Sequence, residues 1–264
     1  MRPLETEKFL NIAVEASLAS SDIIMSSLNG AKVKDYKGKA DLVTKTDLES
    51  EKIIKAIIRS NFPNHNILAE ESGKEFKDSK FLWVIDPLDG TTNFVHGYPS
   101  FSVSIALYFL NKPLLGVVLE MPNLKMYSAI IGEGAFCEGV PIKCSDTSTL
   151  KDSLLVTGFD YKQNKFWKKN MELFKHFTSI THGVRRLGAA SIDICHIASG
   201  KADGFWEFNL KPWDTAAGVI IAKESGAVVS KINGDDFSIY DKSVLVANRN
   251  IYQDIKENIN TYFN

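Results

Sequence analysis

Asp86-Pro87-Leu88-Asp89-Gly90-Thr91-Thr92-Asn93 follows directly on the apolar run Phe81-Leu82-Trp83-Val84-Ile85. The run reads as a strand. Pro87 cannot donate to a sheet ladder, so the strand is expected to end there. Two carboxylates three residues apart at a strand end can converge on one point if a turn begins between them. Gly90 permits close backbone approach, and Thr91 to Asn93 can open a short helix whose first N–H groups face an anion. Carboxylates beside anion-binding amides are compatible once a divalent cation lies between acids and phosphate. Hard oxygen ligands favour Mg²⁺ over Zn²⁺. Asp, Pro and Gly also favour an ordinary turn, so the octapeptide alone leaves both readings open.

Working outward, other acids occupy similar places. Glu70 and Glu71 end the strand Ile67-Leu68-Ala69 and precede Ser72-Gly73. Asp214 follows Pro212-Trp213 and opens a helix rich in small residues, Ala216-Ala217-Gly218; by itself it reads as an N-cap. Thr46-Asp47-Leu48-Glu49 reads as a capping box with Thr46 as the cap, opening a helix through about Asn61 that Pro63 closes. Each acid is a weak signal alone. Their shared placement at strand ends and helix starts is what links them.

The rest of the chain supplies layers for these ends. Phe9, Ile12, Ala13, Ala16, Ile23, Ile24 and Leu28 make residues 5 to 28 an amphipathic helix, stopped by Asn29-Gly30. Residues 31 to 45, with Lys32, Lys34, Lys37, Lys39 and Lys45, read as a solvated loop. Residues 100–110, 114–121 and 125–131 read as successive antiparallel strands. Helices are expected over 164–180, 189–199, 214–225 and about 251–262. Strands are expected at 205–208, 227–231 and 243–247. This order predicts an α/β protein of packed sheet and helix layers. It is one unit with a soft internal division near 140–152, between an N-terminal α+β half and a C-terminal α/β half.

The 264 residues are 44% hydrophobic and 24% charged, which excludes a disordered, collagen-like or coiled-coil chain. Lys plus Arg is 31 and Asp plus Glu is 32, so the net charge of −1 gives no support for a dedicated nucleic-acid binder. Cys137, Cys144 and Cys195 form no C-x-x-C pair. A disulfide scaffold and a structural zinc site are therefore not expected, and a reducing, cytoplasmic setting fits. The acidic N-terminus does not read as a signal peptide. The apolar stretch Ala216–Ala222 is too short to span a bilayer, so no membrane role is expected.

The residues quoted above resemble the inositol monophosphatase family. Asp86 to Thr92, continuing through Asn93-Phe94-Val95-His96-Gly97-Tyr98-Pro99, is similar to its first signature, and Trp213 to Ala227 to its second. Ile67 to Gly73 matches the metal-binding glutamate segment, and Arg185-Arg186-Leu187-Gly188-Ala189-Ala190 matches the stretch ahead of the second signature. The similarity runs in order from the first helix to about residue 248.

The resemblance implies a five-layered αβαβα sandwich of the sugar phosphatase type. It also implies a Mg²⁺-dependent, lithium-sensitive phosphomonoesterase, commonly a homodimer, with two to three ions per site. Carried over, Glu70, Asp86, the Leu88 carbonyl, Asp89 and Asp214 would ligate the metals, Asp86 bridging two ions and Glu70 also facing a third. Thr91 and Asp47 would form the pair that activates the attacking water. The Gly90 and Thr91 amides would hold the phosphate. Gly188, Ala190 and Glu207 would contact the alcohol part of the substrate.

The chain is short, which favours myo-inositol monophosphate as substrate. Histidinol phosphate, fructose 1,6-bisphosphate and nucleotide 2′- or 3′-phosphates are alternatives within the same chemistry. Asp160, in the substrate-side loop Thr157 to Gln163, could repel a second phosphate. His96, His182 and His196 read as structural. In relatives the lysine-rich segment is a mobile flap at the metal site. Some bacterial relatives act as RNA-polymerase-associated regulatory proteins, so a protein-binding role stands as the alternative of another class.

Overall fold

The structure is a computed structural model that describes residues 3–28, 35–36 and 42–263. The elements run α1 (Pro3–Leu28), β1 (Asp35–Tyr36), β2 (Leu42–Val43), α2 (Lys45–Asn61), β3 (Asn66–Ala69), β4 (Gly73–Glu75), β5 (Phe81–Asp89), α3 (Thr91–His96) and β6 (Phe101–Phe109). They continue with β7 (Lys112–Met121), β8 (Lys125–Ile130), β9 (Gly134–Cys137), β10 (Val140–Ile142), β11 (Leu154–Thr157), α4 (Lys165–Ile180) and β12 (Gly183–Arg185). The last are α5 (Ala190–Ala198), β13 (Gly204–Phe208), α6 (Pro212–Glu224), β14 (Val228–Ser230), β15 (Ser243–Ala247) and α7 (Tyr252–Phe263).

Two large sheets result. The first has eight strands in the order β10-β9-β8-β7-β6-β5-β3-β4, antiparallel except where β3 runs parallel to β5. The second has five, in the order β12-β11-β13-β15-β14, with β11 parallel to both its neighbours. Helices α1 and α2 pack on one face of the first sheet through Phe9, Ile12, Ala13, Ala16, Ile54 and Ile58. Helices α5 and α6 fill the space between the sheets. Helices α4 and α7 cover the far face of the second sheet through Leu173, Phe177, Ile255 and Ile259. The layers are therefore αβαβα, as the resemblance implies.

This layering explains why the strands of the first sheet do not alternate cleanly. Strand β6 is buried from Phe101 to Tyr108 because helices cover both of its faces. The inner helices show the same effect. Ala216 and Ala217 of α6 are fully buried, and such small side chains let a helix lie close between two sheets. By length and composition α1 could cross a membrane, which the sequence reading overlooked. Here its apolar stripe packs on α2 and the first sheet, as in the core helix of a globular protein.

Several local expectations need correction. The cap of α2 is Thr44, two residues before the expected Thr46, and Asp47 occupies the third helical position of a true capping box. Asp214 is likewise the third residue of α6, not its N-cap, with Lys211 as the cap and Pro212 in the first turn. Strand β5 does not stop at Pro87 but continues to Asp89. Its pairing with β6 shifts register there: Asp86 faces Ser104 and Asp89 faces Ser102. Three steps on β5 answer two on β6, so one extra residue bulges out. Inside a sheet, a bulge is where a proline, which cannot donate to the ladder, is tolerated. Strands β4, β9, β10, β11 and β12 were not expected as strands; all five have only three or four residues. The first sheet ends at Ile142 and the second begins at Leu154. The expected Asn29-Gly30 helix stop and Lys32, Lys34, Lys37 and Lys39 lie outside the described residues.

Candidate active site

The bulge in β5 decides the site's geometry. In a regular strand residues three apart point to opposite faces. One inserted residue cancels that parity, so Asp86 and Asp89 line the same cleft. The Ser50 hydroxyl of α2 donates to the Pro87 carbonyl at 2.7 Å and braces the bulge from behind. The cleft, about 140 Å³, also takes in Glu70 from the end of β3 and Asp214 from the first turn of α6. Four expected carboxylates from three different elements thus share one wall. A larger cavity of about 370 Å³ is lined by Leu82, Tyr108, Val219 and Tyr240, among others, with no acid among its described lining residues. Size does not make it the reactive site, because it lacks convergent polar chemistry.

Each of three acids has one oxygen held by a neutral donor. Asp86 Oδ1 accepts the Leu88 amide at 3.1 Å. Asp89 Oδ2 accepts the Ser191 amide at 2.8 Å and the Ser191 hydroxyl at 2.7 Å. Asp214 Oδ2 accepts the Lys211 amide at 2.7 Å. Among the described residues none of these three pairs with a lysine or arginine within salt-bridge distance. Burial pushes the Asp86 carboxyl well above the usual carboxylate range, and repulsion from Glu70, Asp89 and Asp214 adds to it. Burial also raises Asp89, against the Ser191 bonds. Asp214 is raised by burial and then by Asp89.

Among the described residues no three His, Cys, Asp or Glu side chains close into a ready chelate. The acids line a cleft and do not meet at a point. Their chemistry nevertheless fits a hard divalent cation: oxygen donors, a buried carboxyl in Asp86, and accumulated negative charge that, among the described residues, no lysine or arginine meets in a salt bridge at Asp86, Asp89 or Asp214.

The expected water-activating pair is assembled. Thr91 Oγ1 donates to Asp47 Oδ1 at 2.9 Å and also stands 3.0 Å from the Leu88 carbonyl. Asp47 Oδ2 is held by the Thr44 amide at 2.8 Å and the Thr44 hydroxyl at 2.6 Å. The capping box that starts α2 therefore also fixes the acid behind Thr91. Burial raises the Asp47 carboxyl, partly offset by its bonds from Thr44 and Thr91. Asp47 lies behind Thr91 and does not itself line the cleft.

Gly90 precedes α3 with φ 86°, a left-handed conformation. A Cβ there would lie 2.9 Å from the Ser100 carbonyl and 3.2 Å from the Ala189 methyl, so glycine is required twice over. Gly90, Thr91, the Leu88 backbone, Gly188, Ala190 and Glu207 all line the cleft with the acids. Glu207, on the central strand β13, is pushed well above its usual range by burial, then by Asp193, Asp214 and Asp89.

Sequence reasoning missed several participants. Ser191 orients Asp89. Glu51 accepts the amides of Glu71 at 2.7 Å and Ser72 at 3.1 Å, shaping the turn after Glu70. Asn93 donates to the carbonyls of Ser100 and Leu187, tying the loop after β5 to the Gly188 segment. Arg186 and Asp193 line the cleft itself. For Asp193 a signal existed: it sits one helical turn beyond Ala190. Asp160 does not line the cleft. Its oxygens accept Lys162, Asn164 and Asn209 donors and shape its loop, leaving Phe159 and Tyr161 at the cleft. His96, His182 and His196 do not line it either.

Comparison with known proteins agrees with this geometry. The chain is 41% identical over 257 residues to the inositol-1-monophosphatase of Synechocystis sp., covering 97% of this chain and 90% of the relative. It is 38% identical over 259 residues to the Nus factor SuhB of Vibrio cholerae, covering 96% and 97%. The solved structure of extragenic suppressor protein suhB from Bartonella henselae superposes with a TM-score of 0.92 at 31% identity, covering 96% and 98%. The model of the inositol monophosphatase family matches residues 5–264, and the chain belongs to that family.

Proposed function

We propose that this phosphoric monoester hydrolase works with Mg²⁺, two to three ions per site, and releases phosphate from myo-inositol monophosphate or a closely related polyol phosphate. The observation that carries the reading is the acid wall of Asp86, Asp89 and Asp214 beside the assembled Thr91–Asp47 pair. Glu70, Asp86, Asp89, Asp214 and the Leu88 carbonyl would hold the ions. When bound, Mg²⁺ supplies Lewis-acid stabilisation of charge on the phosphate, the attacking water and the leaving oxygen.

The protein's own groups do the positioning. Thr91 Oγ1 gives its proton toward Asp47, which leaves its lone pairs to accept from a water and aim it at phosphorus. The amides of Gly90 and Thr91 hold the phosphate. Gly188, Ala190 and Glu207 hold the alcohol, Glu207 as an acceptor for hydroxyl groups. In this reading the water attacks phosphorus directly in line, with no covalent intermediate on the protein.

A phosphate-release panel with Mg²⁺ or with chelator tests this. It should contain both inositol monophosphate enantiomers, histidinol phosphate, fructose 1,6-bisphosphate, adenosine bisphosphate and NADP. Release from inositol monophosphate that needs Mg²⁺ and is inhibited by lithium is expected. Release from none of them would sink the reading. The reading also takes the protein as a cytoplasmic homodimer, which light scattering and fractionation check.

The likeness to a Nus factor favours a second, compatible reading, a regulatory role through RNA polymerase. If an Asp89→Asn strain behaves like a deletion strain, catalysis accounts for the phenotype. If it behaves like the parent, binding does.

A further inference from the structure

Asp193 is a buried acid that the mechanism above does not use. It is 1% exposed and lies among the residues lining the cleft. Among the described residues, neither of its carboxylate oxygens has a hydrogen-bond partner. Buried polar groups are nearly always satisfied, so an acid with both oxygens free needs a reason. Burial pushes its carboxyl well above the usual range, which states the same cost in another form.

Its surroundings supply the reason. Asp193 follows Ala190 by one turn of α5, so both are on the helix face that borders the alcohol end of the cleft. Glu207 stands across from it on β13, near enough for Asp193 to be the strongest charge acting on it. The Glu207 carboxylate fills the place of a missing side chain at residue 158: a Cβ on Gly158 would fall 2.2 Å from Glu207 Oε2. The strand end at Gly158 therefore leaves room for one acceptor, and α5 brings a second.

We propose that Asp193 is a specificity-determining residue that accepts a substrate hydroxyl alongside Glu207, so that the cleft selects a phosphate monoester whose alcohol carries at least two further hydroxyls. This rests on the phosphatase reading above and adds the residue that sets the substrate class. A hydroxyl suits the place better than an ammonium group. Arg186 already brings positive charge to the same cleft and acts on both acids, so a ligand cation would meet repulsion there.

The test compares myo-inositol 1-phosphate, glycerol 2-phosphate, ethyl phosphate and ethanolamine phosphate on the parent, Asp193→Ala and Asp193→Asn proteins. Loss of one charge-assisted hydrogen bond predicts a fall in kcat/KM of about 10- to 100-fold on the two polyol esters. The fall should lie mostly in KM, with ethyl phosphate changed less than about twofold, within the small effect of removing a group the substrate never touches. Should Asp193→Ala melt below the assay temperature, the near-isosteric Asp193→Asn carries the same comparison. An equal fall on ethyl phosphate would make Asp193 a structural residue and overturn the proposal, as would no fall on any ester. A fall confined to ethanolamine phosphate would reassign the pair to a cation. A parent protein inactive on all four esters would remove the phosphatase reading itself, and this inference with it.

Discussion

The fold treats two groups of acids in opposite ways, Glu51 and Glu75 on α2 and β4 against Asp86, Asp89 and Asp214 on β5 and α6. Glu75 on β4 is met by Lys55 and by Arg59, the latter at 2.9 Å. Glu51 anchors two amides and has Lys55 at 3.7 Å. Among the described residues, Asp86, Asp89 and Asp214 receive only amide and hydroxyl donors. The hydrogen bonds from Lys55 and Arg59 hold Glu75 below the usual carboxylate range, whereas burial and mutual repulsion push Asp86 far above it. The first group is neutralised within the chain and shapes backbone. The second is left uncompensated, and uncompensated buried charge persists in a fold where something other than the fold uses it.

The contrast breaks hardest at Asp89. Asp89→Asn removes one charge from the uncompensated group while keeping its shape. Turnover should fall about 1,000-fold, the upper range for losing one preorganised electrostatic contact. Unchanged phosphate release with Mg²⁺ present would end the idea that these acids act through an ion. Thr91→Ala separates the ion site from the nucleophile. A fall of about 100-fold is expected from losing a positioned proton acceptor, while the rise in melting temperature on adding Mg²⁺ is retained. Loss of that rise would put Thr91 among the ligands instead of beside the water.

The neutralised group also has a task, one step removed. Glu51→Ala frees the amides of Glu71 and Ser72 and loosens the turn that presents Glu70. The Mg²⁺ concentration needed for half-maximal activity should rise about tenfold, the lower range for losing a group that orients a ligand. Turnover at saturating Mg²⁺ should stay near the parent's. A fall at saturation would mean that the Glu51 bonds support more than the ion site.

What the sequence made legible follows the same division. The acids and Thr91 were readable because two long signatures fix them by type and spacing, and the long elements because their apolar periodicity is strong. The bulge was not: Pro87 reads as a strand end, and only pairing with Ser104 and Ser102 reveals that the strand continues through it. The cap at Thr44 was missed because Thr46-x-x-Glu49 fits the capping pattern as well as Thr44-x-x-Asp47 does. Ser191 and Glu51 reach their partners across 102 and 20 residues respectively, contacts that local pattern cannot carry. Asp193 was hidden by its setting in Ala190-Ser191-Ile192-Asp193-Ile194: its spacing of one turn from Ala190 puts it on the same helix face, but only the second sheet, with Glu207, shows what that face meets.

The smallest expected effects are on stability, and they differ in sign. In the metal-free protein, held so by chelator, the folded state binds a proton at Asp86 more readily than the unfolded chain does, because its carboxyl is raised above 3.8. Stability should therefore fall as pH rises from about 4 through the raised value. Asp86→Asn removes this penalty, so it should melt a few degrees higher than the parent at pH 7, a shift of about 2–4 °C per kcal/mol for a chain of this size, and match it near pH 4. Glu75 is the reverse case. Its carboxyl is lowered from 4.5, so its contribution is present above that value and lost as pH falls through the lowered one. Glu75→Gln should melt slightly lower than the parent at pH 7, by less than about 1 kcal/mol because the side chain is 39% exposed, and converge with it in acid. Melting curves from pH 3 to 8 in chelator read both. If Asp86→Asn is instead the less stable protein at pH 7, the acids of the cleft are structural after all, and the distinction between the two groups disappears.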